Sequence, residues 1–376
     1  MFSANSATLG LTATERVHIG RRAAEALAEE VQTLGAQRVF LLVSTTLRTT
    51  TTEISDIEAA LGDSIACVFD GIKAHGPRSD VLAALEEARA VDADLIITVG
   101  GGSVTDAGKV VALGLKHGFE KHEDFEGFYV YVDEAGETVV PQFDAPEIRV
   151  ICCPTTLSGG EFNTMGGVTD DKENKKQGYT HRMMAPIAIV LDPALTIHTP
   201  EWLWFSTGVR ALDHALEALG STHSNHFCDG IAGSALRLLG SALPQVKADG
   251  TDLDARLRCQ VGAWQSMIPV IGKWHRNNVR ILLYGNPLMN LSVIEIMQLH
   301  RKVREVEANE LSEYETSLVI AAIDKLDVGP CQIDIGILAA GFMFDDQGLN
   351  IDEFVFNQIK DVIGVHDPIL ENPQDL

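Results

Sequence analysis

Asp94-Leu95-Ile96-Ile97-Thr98-Val99 runs directly into Gly100-Gly101-Gly102-Ser103-Val104-Thr105-Asp106-Ala107-Gly108-Lys109, and Val110-Val111-Ala112-Leu113 follows. An apolar run, three glycines and a segment at helical spacing predict strand, tight turn and helix in that order. Glycines let a backbone approach a bulky group without Cβ clashes. Ser103 is the expected N-cap, with Asp106 as the acidic partner of a capping box. The free N–H groups of such a helix start form an anion site, and a dinucleotide diphosphate is the natural guest. The same glycines also suit a strand-to-helix connection that binds nothing.

Outward from this turn the first half alternates strand and helix. Strands are expected at Arg16–Ile19, Arg38–Val43, Ile65–Phe69, Ile148–Cys153 and Ile187–Leu191. Helices are expected at 23–34, ended by Gly35, at 52–61, ended by Gly62, and at 79–91. This alternation predicts a parallel α/β sheet with helices on both faces, whose ligands sit at the carboxyl ends of the strands. After Pro193 the pattern becomes helical, at 202–219, 229–243, 253–268 and 293–311, the second of these stopping at Pro244. The expected domains are therefore 1–192, α/β, and 193–376, mainly α. The charge run Asp170–Lys176 reads as a solvated hairpin loop.

The length of 376 residues suits two domains, each with its own core. A net charge of −24 opposes binding to nucleic acid or anionic membrane. No apolar run approaches the ~20 residues of a membrane span, and the N-terminus lacks the basic and apolar regions of a secretory signal. Six scattered cysteines without CxxC read as reduced thiols of a cytoplasmic protein. Adjacent Cys152 and Cys153 point to opposite faces of their strand.

A second segment, Pro154-Thr155-Thr156-Leu157-Ser158-Gly159-Gly160-Glu161-Phe162-Asn163, places hydroxyls at a strand end. Thr155, Thr156 and Ser158 suit the amide or ribose of a nicotinamide cofactor, or equally a polar turn bonded to itself. The strand ending at Val43 is followed by Ser44, where enzymes preferring NAD commonly carry an acid for the ribose hydroxyls. With Ser44 there, and Arg48 available to a 2′-phosphate, NAD and NADP both stay open.

The spacing of Gly100–Lys109 is neither G-x-G-x-x-G nor a P-loop. It resembles the GGGSxxDxxK signature of the iron-type (group III) alcohol dehydrogenases. Pro154–Asn163 resembles that family's PTT-x-x-G-[ST]-E segment, which lines the cofactor cleft, with Gly160 in place of a hydroxyl residue. Ser206–Leu219 resembles its GMDALTHAIEA helix, whose Asp and His bind a divalent metal. The His position is His214; the Asp position holds Arg210, and neighbouring Asp213 lies about 100° round the helix. The family's later H-x-x-x-H and H-G motifs are missing: His275 and His300 stand in other contexts, and residues 268–350 depart from the family. The ending from His366 again resembles it.

The resemblance implies a Rossmann-like parallel sheet followed by an all-α domain, the architecture shared with dehydroquinate synthase. It implies NAD or NADP bound by Ser44, Gly100, Gly101, Gly102, Ser103, Asp106, Lys109, Thr155, Thr156 and Ser158. Asp106 and Lys109 either support the turn or reach the ribose and nicotinamide. It further implies a small carbonyl or alcohol substrate and a cytoplasmic homodimer. One subgroup, the maleylacetate reductases, also lacks the helix Asp and is regarded as metal-free, acting on a dicarboxylic keto acid. On that pattern Arg210 supplies the positive charge that iron or zinc supplies elsewhere, and His214 donates to the carbonyl oxygen. The alternatives are an ion pair of Arg210 with Glu217, Asp213 or Asp192, and a core role for His214. At the level of function they are a metal-dependent alcohol dehydrogenase and a nucleotide-binding relative without activity. His181 is a further residue near the cleft, and His223 and His226 have a metal-compatible spacing.

Overall fold

The computed structural model describes residues 9–133, 138–219 and 225–271, together with the backbone of 280–282 and 290–292. The chain begins β1 (Arg16–Ile19), α1 (Ala23–Leu34), β2 (Val39–Val43), α2 (Thr45–Thr50), α3 (Glu53–Leu61), β3 (Ile65–Phe69) and α4 (Arg78–Ala90). It continues with β4 (Leu95–Gly100), α5 (Gly102–His117), β5 (Tyr131–Val132), β6 (Thr138–Val139), β7 (Val150–Pro154), β8 (Met165–Asp170), β9 (Lys175–Thr180) and β10 (Ala188–Leu191). Then come α6 (Pro193–Thr196), α7 (Glu201–Leu219), α8 (His226–Ala248), α9 (Leu253–Ile271) and a ribbon of β11 (Arg280–Leu282) with β12 (Asn290–Ser292).

Six strands form one parallel sheet in the order β1-β10-β7-β4-β2-β3. β2 and β4 are buried along their whole length, which is why they read as unbroken apolar runs. Alternate side chains face opposite cores. Phe40, Leu42, Ile96 and Cys152 pack with α4 and α5. Leu41, Val43, Ile97, Val99 and Cys153 pack with α1 and α3. Each fully buried side chain of this size contributes roughly 1.5–3 kcal/mol. Because α3 and α5 leave on opposite faces, the loops after β2 and β4 part company. That divergence is the topological switch point where ligands of open α/β sheets lie.

The helices α7, α8 and α9 build a separate core around Trp204, Leu212, Leu236 and Leu239, filled in by alanines that let the helices approach. Leu157, from the loop after β7, belongs to this helical core rather than to the sheet. Among the described residues no helix is long and apolar enough to cross a membrane.

Several expected elements differ in detail. The segment after β2 forms a short helix, α2, that weak helix formers such as threonine conceal in the sequence. α8 starts at His226, where Asn225 accepts from the Phe227 and Cys228 N–H groups, and it continues through Pro244 to Ala248. Proline ends a helix only when context does not hold it, and here Leu243 and Val246 are both buried on the helical core. The charge run forms the tip of the β8–β9 hairpin, with Asp170 paired to Lys175. The helix expected at 293–311, Cys331 and the ending from His366 lie outside the described residues.

Candidate active site

Three neighbouring strands end side by side. β2 ends at Val43, and the Ser44 N–H donates to the Val99 carbonyl at 2.9 Å. β4 ends at Gly100, in register with Pro154 of β7, and the Thr155 N–H donates to the Gly100 carbonyl at 3.0 Å. Ser44, Gly100–Ser103 and Thr155–Ser158 therefore share one edge of the sheet, at the switch point.

The helix start differs from the expected one. Gly101, not Ser103, is the N-cap of α5, and no side chain caps it. Its carbonyl takes the first intrahelical bonds, from the Val104 and Thr105 N–H groups. Ser103 is thus already in the first turn, and its Oγ accepts from the His75 N–H at 2.9 Å. The capping box with Asp106 does not form. The N–H groups of Gly102 and Ser103 precede the first intrahelical bond, and the turn from Gly101 to Ser103 is half-buried. The first turn carries no acidic side chain, so the helix dipole there favours an anion. A Cβ on Gly102 would lie 2.9 Å from Ser158 Oγ, so glycine is what lets the two loops meet.

Thr155 and Thr156 are buried, and Thr156 Oγ1 lies 3.2 Å from Ser158 Oγ. The loop is bolted to the helices. Thr199 Oγ1 donates to the Thr155 carbonyl at 2.7 Å, and the Leu157 N–H donates to Thr207 Oγ1 at 3.1 Å. Phe162 stacks on Trp264 of α9, with centroids 5.7 Å apart.

Lys109 is completely buried. Its Nζ donates to the carbonyls of Gly160 (2.5 Å), Asn163 (2.9 Å) and Met165 (2.9 Å), and Asn163 Oδ1 lies at 3.3 Å. Asp106 accepts from the Gly167 N–H. Both side chains thus tie α5 to residues 160–167, and Lys109 spends its donors on that loop. Burial pushes the Asp106 carboxyl up and the Lys109 ammonium down, each opposed by the other's charge. Glu161 joins them: it is 2 % exposed, and burial raises its carboxyl to about 7 against the pull of its own backbone bond and Lys109. No spacing or local pattern in the sequence singles out Glu161, an acidic residue between Gly159-Gly160 and Phe162.

Arg210 and His214 stand one turn apart on α7, the helix whose Thr207 bonds the Thr155–Ser158 loop. Arg210 is half-exposed, and its guanidinium pairs with Asp213, one of the pairings open from sequence. His214 is buried. Among the described residues, the one group of three His, Cys, Asp or Glu side chains close enough to share a metal is His122, Asp170 and Asp171. His214 is not part of it, and the position one turn before it holds the Arg210 guanidinium, which does not ligate a divalent cation. His181 accepts from the Met183 N–H and packs on Phe143. Arg48 pairs with Asp70 at 3.4 Å. His226 is exposed at the start of α8; His223, His275 and His300 lie outside the described residues.

Two profiles of one family match in sequence order: "iron-containing alcohol dehydrogenase" over residues 14–193, and its C-terminal region over 204–270. Dehydrogenase ALT3 of Alternaria alternata is 34% identical over 239 residues, 60% of this chain and 61% of that protein. Maleylacetate reductase 1 of Cupriavidus pinatubonensis is 31% identical over 251 residues, 66% of this chain and 60% of that protein. The chain thus spans about three fifths of the length of these curated relatives. The crystal structure of maleylacetate reductase from Rhizobium sp. is 26% identical, with a TM-score of 0.57 over 72% of this chain and 66% of that one. With both profiles covering about two thirds of its length and the glycine turn at the switch point of its sheet, the chain belongs to the iron-containing alcohol dehydrogenase family, on the branch that includes the maleylacetate reductases.

Proposed function

We propose that this protein is an NAD(P)-dependent oxidoreductase that reduces the carbonyl of a carboxylate-bearing keto acid such as maleylacetate, and that it works without a metal. The observation that carries this reading is the half-buried, uncapped start of α5 at the switch point, flanked by Ser44 and by the Thr155–Ser158 loop. The residues fit a dinucleotide: two main-chain donors, a favourable dipole and no acidic side chain in the first turn. The bound nicotinamide would supply hydride to the carbonyl carbon.

The remaining roles belong to the chain. Gly101, Gly102 and Ser103 hold the diphosphate. Ser44 and the Thr155–Ser158 loop flank the nucleoside ends. Asp106 and Lys109 keep that loop seated on α5. Arg210 binds a substrate carboxylate or the developing alkoxide, using donors beyond the one given to Asp213. His214 donates a proton to the carbonyl oxygen. The division at 192/193 separates the dinucleotide-binding part from a substrate-binding part. The family likeness also supports a cytoplasmic homodimer.

Fluorescence titration with NADH and NADPH, followed by turnover on dicarboxylic keto acids, tests the reading. Saturable binding and metal-independent turnover support it. Absence of binding to either dinucleotide overturns it, and turnover that needs about one metal ion per chain overturns its metal-free part.

A further inference from the structure

His181 lies between β9 and β10, at the head of a single helical turn, Arg182–Met184. Its Nδ1 accepts from the Met183 N–H at 3.0 Å, so the imidazole is the N-cap of that turn. Side-chain caps are ordinarily Ser, Thr, Asp or Asn, whose oxygens still accept a bond in mild acid. An imidazole accepts at Nδ1 only while that nitrogen carries no proton. Histidine thus makes this cap removable by a proton near neutral pH.

The turn is a fastening point. Met184 is buried in the core that α4 and α5 make with the sheet. Arg182 Nε and Nη2 donate to the Leu11 and Thr12 carbonyls at 3.2 and 3.5 Å. Arg149 Nη2 donates to the Ala13 carbonyl at 2.9 Å and to the Ala185 carbonyl, just past the turn, at 3.2 Å. Residues 11–13, which lead into β1, are thus held by this turn. The His181 N–H donates to the Thr164 carbonyl at 3.3 Å, a main-chain bond that a proton on the ring leaves intact. The ring is half-buried against Phe143, with centroids 5.7 Å apart, and His117 of α5 packs on the same Phe143 at 5.8 Å. The charged groups about the turn are Arg182, Arg149 and His117, whose Nε2 is on the Asp144 carbonyl. Glu15, whose charge acts on Arg149, is paired with Arg16, and the Asp144 and Glu147 carboxylates act on Lys116. Burial first, and then the charge of His117, hold the His181 imidazole below its ordinary 6.5.

We propose that His181 is a proton-operated latch: neutral, it fixes the turn 182–184 and, through Arg182, the segment 11–13; protonated, it releases both. The Thr164 bond holds the backbone of His181 itself, so the release stays local. A group held below its ordinary value contributes stability that is whole above pH 6.5 and is lost as pH falls through the lowered folded value. The release is therefore an acid event, opposite in sense to the titration of Glu161. It is independent of what the glycine turn binds.

Hydrogen exchange of the full chain between about pH 7.5 and about pH 5, corrected for the intrinsic pH dependence of amide exchange, reads the latch directly. In wild type, peptides spanning 10–16 and 182–187 should lose about fivefold protection in acid, the factor that one ordinary cap contributes. Histidine-labelled NMR gives the His181 titration midpoint, which should lie below 6.5 and coincide with that loss. In His181→Asn the side-chain oxygen still accepts from the Met183 N–H, so protection should hold across the range; in His181→Ala it should be low throughout. Wild-type protection that stays level overturns the proposal, as does a His181 midpoint away from the loss of protection. So does a His181→Asn variant that loses protection in acid as wild type does, because another group, His117 first, is then responsible.

Discussion

The glycine turn and helix α7 carry the two halves of the proposed chemistry, and they are built in opposite ways. At the turn the structure is a buried polar lattice. Lys109 caps three carbonyls, Asp106 takes an amide, and the Leu157 and Thr155 main-chain groups are bolted to α7 and to Thr199. On α7 the side chains proposed to work are Arg210, half in solvent and paired one turn along its own helix, and the buried His214. The first region is set by backbone geometry and fails as a unit. The second is set by side-chain identity and can change chemistry without disturbing the fold.

The sharpest way to break this contrast is at Lys109. Replacing Lys109 with Met leaves three loop carbonyls buried without a donor. Unsatisfied buried groups cost ~1–3 kcal/mol each, partly relieved by relaxation, so a loss of about 4 kcal/mol is expected in urea unfolding. Loss of under about 1 kcal/mol would mean that the loop does not depend on this lysine. Next comes Gly102→Val. Its Cβ would press on Ser158 Oγ and its branches would cover the turn, so Kd for NADH should rise about 100-fold, or ~3 kcal/mol, by fluorescence titration. Unchanged affinity would move the dinucleotide elsewhere.

Glu161 sharpens the contrast through pH. Its folded carboxyl value, about 7, lies above the ordinary 4.5, so folding favours the protonated form. Its contribution to stability is whole below about pH 4.5 and is lost as pH climbs through 7, by at most ~3 kcal/mol at 1.36 kcal/mol per unit. Glu161→Gln should therefore flatten the fall of stability between pH 4.5 and 7 relative to wild type, measured by urea unfolding across that range. Parallel wild-type and variant profiles would remove Glu161 from the buried cluster.

The two regions also differ in how far sequence reveals them. Gly100–Gly102 was legible because its signal is local: an apolar strand, three glycines, then helical spacing. The parallel sheet was legible for the same reason, β2 and β4 being unbroken apolar runs. The helix start was misplaced by two residues because Ser103 has the chemistry of a cap, while the chain already turns at Gly101. The Lys109 clamp had no local signal, since its partners are carbonyls more than fifty residues away and a carbonyl has no residue type.

Arg210 is where the contrast is most exposed to a small experiment. Its ion pair with Asp213 spans one turn of helix with the guanidinium half in water, and pairs of that kind contribute only about 0.3–0.5 kcal/mol. Arg210→Ala should thus unfold within about 0.5 kcal/mol of wild type. If the guanidinium meets the substrate, kcat/KM on a dicarboxylic keto acid should fall at least tenfold, ~1.4 kcal/mol, with Kd for NADH unchanged. Arg210→Lys keeps the charge but loses the planar fork, and should recover only part of the loss. Equal activity in folded Arg210→Ala would reduce the residue to its pairing with Asp213. An affinity loss for NADH in the same variant would instead mean that α7 acts on the cofactor loop through Thr207 and Leu157, and that the two regions are one.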